Sequence, residues 1–106
     1  MVADGRRARL RQMLLSLRKR MKRYRQRLAA LDVEINQNGK IAKFFFISAK
    51  AKYVSPDLRM AQRTAACRFE RNAAVAKEEK VRVRQQIKGH LDLCEQVTGI
   101  LAVMKT

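Results

Sequence analysis

A 4–3 apolar repeat and a dense block of positive charge occupy the same stretch of chain, and together they narrow the possible folds more than any other feature. Leu10, Leu14, Leu17, Met21, Tyr24, Leu28, Leu31 and Ile35 recur at alternating intervals of four and three. That spacing places them on one stripe of an α-helix suited to packing against another helix. Eleven of the first 27 residues are Lys or Arg, and the only acid among them is Asp4. Between residues 18 and 27 every position off the stripe is basic except Gln26. One face is therefore built for a protein neighbour and the rest for something anionic.

The repeat predicts a first helix over residues 4–35. Asn36-Gln37-Asn38-Gly39 reads as its stop, because Asn and Gly tolerate the left-handed conformation that closes a helix. Residues 40–53 then read as a short Phe-rich helix. Phe44, Phe45 and Phe46 cannot all point inward on one helix, so one or two are expected to face a partner. Ser55-Pro56-Asp57 is the clearest start signal: a capping hydroxyl, a proline suited to the first helical position, and an acid at the positive end of the dipole. A second stripe follows through Ala66, Phe69, Ala73, Ala76, Lys80, Val83, Ile87, His90, Cys94, Val97, Leu101 and Met104. It predicts a helix over residues 56–105, with a possible break at Gly89.

The expected fold is all-α, a coiled-coil-like helical hairpin. Residues 1–106 make one basic helical domain, divided into a basic heptad helix (1–35), the Phe-rich segment (40–53), a basic long helix (56–88) and an apolar docking segment (89–106). A first helix ending at 35 covers only an equal length of the second, so residues 89–104 are expected to overhang and dock on a partner chain, unless Gly89 breaks the helix and folds them back. Phe44, Phe45, Phe46, Leu91, Leu93, Val97, Leu101 and Met104 are the expected protein-docking residues.

The 106-residue chain carries 25 basic and 9 acidic residues, a formal net charge of +16. Such charge on one small domain repels itself, so an anionic partner is expected in the native state. The charge is uneven. Residues 1–31 hold 11 basic and 1 acidic residue, whereas residues 89–106 hold 1 basic and 2 acidic. Solvated helices usually mix Glu with Lys, since like charges one turn apart cost a few tenths of a kcal/mol each. Here they are crowded without relief. The first 31 residues use nine Arg and two Lys, and Arg offers the bidentate geometry that phosphate accepts. RNA contacted through its phosphates, without sequence-specific reading, is the expected partner. The residues expected to carry it are Arg6, Arg7, Arg9, Arg11, Arg18, Lys19, Arg20, Lys22, Arg23, Arg25 and Arg27. Arg59, Arg63, Arg68, Arg71, Arg82 and Arg84 are expected to assist.

Other chemistry has little to stand on. There is one histidine, and no Gly-rich phosphate loop, GxSxG or HExxH. His90 and Cys94 lie four apart, as two metal ligands could, but a closed site lacks further ligands; both read as packed stripe residues. Cys67 and Cys94 read as two small buried thiols. No enzyme activity, metal or cofactor is expected. No apolar run is long enough to span a bilayer, and no apolar h-region follows the basic start. An Arg-rich, acid-poor amphipathic start also fits a mitochondrial address; the cytoplasm and nucleus are the other expected compartments.

In composition and helix pattern the chain is similar to small accessory proteins of ribosomes, especially organellar ones. That resemblance implies a non-enzymatic structural subunit of a large RNA-protein assembly. The alternatives are an adapter subunit of a protein-only complex, such as a respiratory or ATP-synthase assembly, and a homodimeric helical hairpin gripping duplex RNA. The Leu-Tyr-Arg motif of small mitochondrial LYR proteins is absent, since Lys22-Arg23-Tyr24-Arg25 has no Leu before the Tyr.

Overall fold

The computed structural model describes the backbone of residues 2–104, and the side chains from residue 5 to residue 104. It contains two long helices, α1 (Val2–Ala49) and α2 (Pro56–Met104), and no strand among the described residues. The fold is all-α, as expected. Their contacts divide the chain into two units of paired helix: Met1–Leu28 with Arg82–Thr106, and Ala29–Val81.

The first difference from the sequence expectation is the length of α1. No stop occurs at residues 36–39; the helix runs through them and takes in the Phe-rich segment as far as Ala49, short of the expected end at residue 53. The physical reason lies in the stripe, which continues beyond Ile35 at unchanged intervals through Asn38, Ala42, Phe45 and Ala49, all buried or half-buried. Asn38 tolerates its place on the stripe because its amide donates to the Glu34 carbonyl at 2.8 Å, within the helix itself. Gly39 is exposed and has no positive φ. It is an ordinary helical residue with a propensity cost of about 1 kcal/mol relative to Ala, which packing elsewhere offsets. Helix α1 closes instead with tight i→i+3 bonds, from the Lys50 N–H to Ile47 and from the Ala51 N–H to Ser48.

Helix α2 starts where the Ser55-Pro56-Asp57 signal places it. The Leu58 N–H donates to the Ser55 hydroxyl at 3.2 Å, and the Arg59 N–H to the Ser55 carbonyl at 2.9 Å. Gly89 does not break this helix. Every position of the predicted second stripe is buried or half-buried.

In the unit of residues 29–81 the chain forms a helical hairpin. Phe45 stacks on Phe69 with ring centroids 5.9 Å apart, and Lys80 pairs with Asp32. This pairing explains a lysine on an otherwise apolar stripe. The core here is Leu31, Ala42, Ala49, Ala66, Ala73 and Ala76. Leu31 is its only large side chain that is fully buried. Ala permits close helix approach but contributes little buried area, and apolar stabilisation scales with area.

In the unit of residues 1–28 with 82–106 the helices also run antiparallel. The Arg7 guanidinium donates to the Met104 carbonyl at 2.7 Å, satisfying one of the carbonyls that the last turn of α2 leaves open. At the other end of the unit, Tyr24 meets His90 edge to face. Leu17, Met21, Val83 and Val97 form the core. The expected overhang of residues 89–104 is therefore corrected. Val97 is buried, and Leu101 and Met104 are half-buried on the stripe of their own helix pair, because α1 does not end at residue 35 and its 48 residues match the 49 of α2.

Candidate nucleic-acid interface

The unit division sorts the charge more sharply than sequence segments do. Each unit holds 53 residues. The unit of residues 1–28 with 82–106 contains 15 basic and 3 acidic residues, a net +12; the unit of residues 29–81 contains 10 and 6, a net +4. Three quarters of the net charge thus belongs to one helix pair.

Helix geometry distributes those charges. The stripe takes the face of α1 that packs on α2, so the basic residues occupy the remaining circumference. Arg11, Arg18 and Arg25 recur at seven-residue intervals along one flank, and Arg6, Arg20 and Arg27 share the other. Arg9, Lys19, Lys22 and Arg23 point further from α2. All of these are exposed. On α2 the exposed Arg82 and Arg84 add to the same unit. Exposure keeps most of this basic surface in contact with water, where phosphate can approach it.

Some expected contact residues are engaged by the protein itself, Arg9 among them through its Nε, which donates to the Gly5 carbonyl at 3.4 Å. Arg7 is half-buried and closes the end of α2 through Met104. Arg59 is half-buried in the other unit, where its guanidinium reaches the Ala51 carbonyl at 3.4 Å. Arg63, Arg68 and Arg71 are exposed in that unit. They stand where acids are more frequent.

The expected docking residues divide similarly. Phe44 is 64% exposed and lies edge-on to Phe45 at 5.6 Å. Phe45 is turned onto Phe69, and Phe46 is half-buried. Leu91 and Leu93 are exposed. Val97, expected to dock on a partner, is instead core of its own unit. Ile100 and Val103, apolar residues of the same C-terminal segment, are exposed as well, and sequence reasoning missed the exposed Ile47 as a candidate. They lie off the stripes, and their exposure follows from each helix having a single neighbour.

Within the unit of residues 29–81 an open groove of about 900 Å³ is lined by residues of both helices, among them Gly39, Ala42, Phe46, Ile47 and Ala74. Cys67 lines it and is exposed rather than buried as expected; Cys94 is half-buried. The His90 ring holds Nδ1 at 2.9 Å from the Gln86 carbonyl. Since a carbonyl only accepts, Nδ1 carries a proton there. No cluster of three or more His, Cys, Asp or Glu side chains that could hold a metal occurs among the described residues. No described helix is long and apolar enough to cross a membrane.

Comparison with protein-family models, with curated proteins and with solved structures finds no match for this chain.

Proposed function

We propose that this protein is a non-enzymatic structural subunit of an RNA-protein assembly, with its strongly basic helix pair on RNA phosphates and its exposed apolar residues on neighbouring proteins. The observation that carries this reading is the charge of one unit: 15 basic residues to 3 acids, nearly all of the cations exposed. Phosphate compensates such a surface well, because each contact releases condensed counterions. The dominance of Arg on α1 suits phosphate better than it suits plain solubility.

Contact is to backbone rather than base edges. The basic residues surround a helix whose apolar stripe is occupied by α2, and no zinc-finger, RNP1 or KH signature accompanies them. Phe44, Ile47, Leu91 and Leu93 are the candidates for protein docking. A mitochondrial location fits the Arg-rich start and forms part of the proposal.

The test is replacement of Arg18, Arg20, Arg23 and Arg25 by Glu. RNA association is expected to disappear while far-UV circular dichroism stays that of a helical protein. Retained RNA association in a folded variant contradicts the reading.

A further inference from the structure

We propose that the nucleic acid taken by the basic helix pair is a double helix rather than a single strand, an inference that rests on the phosphate-binding reading above. Three features of the unit of residues 1–28 with 82–106 lead to it.

The first is where the aromatic rings are. Phe44, Phe45, Phe46, Tyr53 and Phe69 all belong to the other unit, which carries the smaller net charge; the basic unit has Tyr24 alone. Tyr24 is half-buried on the stripe, with its ring 5.1 Å from that of His90. Proteins that hold single strands place aromatic faces beside their cations, and stacking contributes about 1–3 kcal/mol per base. The basic unit offers no fully exposed aromatic ring for a base. Its cations meet phosphates without the aromatic stacking that usually accompanies single-strand binding.

The second is the stiffness of the support. Helix α1 passes through the whole basic stretch without a kink-forming proline, held against α2 by Leu17, Met21 and the Arg7–Met104 bond. Arg11, Arg18 and Arg25 therefore stand about 10.5 Å apart in a fixed row. From Arg6 to Arg27 the cations cover about 31 Å of helix axis. A rigid row of charges meets a rigid lattice of phosphates without ordering it first. A single strand must be ordered along the row, and that loss of freedom is what base stacking ordinarily offsets.

The third is linear charge density. A DNA duplex presents one phosphate per about 1.7 Å of axis, against about 3.4 Å for each strand alone, and counterion release per phosphate neutralised is larger for the duplex. A surface with net +12 and no fully exposed aromatic ring gains more from the denser array.

The inference is tested with the purified full chain by fluorescence anisotropy at physiological salt. The probes are a 20-base-pair RNA duplex of mixed sequence, a DNA duplex of the same sequence, and one RNA strand alone. Duplex affinity is expected to exceed single-strand affinity at least tenfold. The log–log salt slope for the duplex should be about −5 or steeper, the value for about six phosphate contacts. An Arg18→Gln and Arg25→Gln double variant, its helicity checked by circular dichroism, should flatten that slope by about 2. A single strand bound as tightly as the duplexes, or more tightly, overturns the inference and leaves phosphate binding standing. Binding to none of the three probes overturns the phosphate-binding reading itself.

Discussion

Tyr24 and His90 meet edge to face, ring centroids 5.1 Å apart and planes at 82°, and this pair packs one end of the basic helix pair and engages its one tyrosine ring, which is half-buried. The His90 ring is itself fixed by the bond from Nδ1 to the Gln86 carbonyl. Tyr24 is thus a packing residue. Replacing it with Leu keeps an apolar stripe residue of comparable reach. The variant should bind nucleic acid as the parent does, while Tyr24→Ala should lower unfolding free energy by about 2 kcal/mol. Parallel binding and denaturation measurements check this. A large loss of binding in a stable Tyr24→Leu variant would show that the ring contacts a base.

Continuity of α1 through Gly39 gives a prediction of opposite sign to that of a helix stop. A Cβ at Gly39 or at Gly89 meets nothing within 4 Å, and neither residue has positive φ. Gly39→Ala and Gly89→Ala should each stabilise the protein by about 0.5–1 kcal/mol. Were Gly39 a left-handed cap ending the helix, Ala there would destabilise. Chemical denaturation of the two variants separates these cases.

The hairpin of residues 29–81 has a thin core, so its one large, fully buried side chain matters disproportionately. Leu31 is 0% exposed, whereas Leu15 in the basic unit is 56% exposed. Leu31→Ala should cost about 2–5 kcal/mol, and Leu15→Ala within about 0.5 kcal/mol of nothing. Enlarging the core should also fail: Ala66, likewise 0% exposed, has no room, and Ala66→Leu should cost about 1–3 kcal/mol.

The start of α2 rests on a single hydroxyl. Ser55→Ala removes the acceptor for the Leu58 N–H and should cost about 1 kcal/mol. Ser55→Asp should recover most of it, because a carboxylate also caps and favours the positive end of the dipole. Thermal unfolding of the pair measures both effects.

Much of this fold is legible in the sequence, and the parts that are not share a cause. The stripe from Leu10 to Ile35, the stripe from Ala66 to Met104, and the Ser55-Pro56-Asp57 start each follow from local geometry. The misreading came at Asn36–Gly39, where strong stop residues outweighed a stripe that continues at the same interval through Asn38, Ala42, Phe45 and Ala49. Asn38 looks like a terminator, yet its side chain is satisfied by Glu34 one turn back. That one boundary propagated: a shorter α1 left residues 89–104 uncovered and turned Val97 into a docking residue. Exposure of the basic residues was legible because the stripe leaves them no other place. The roles of Arg7 and Arg59 were not, since each depends on a backbone carbonyl distant in sequence or across a turn.

The central claim is that the charge of the basic helix pair serves RNA. The most direct test is purification of the tagged protein from its source at moderate salt, with and without RNase, followed by identification of the RNA and proteins retained. Enriched RNA and a set of proteins lost on RNase treatment are the expected result. The same proteins retained regardless of RNase, with no RNA enriched, would contradict it and assign the basic surface to an acidic protein or lipid partner.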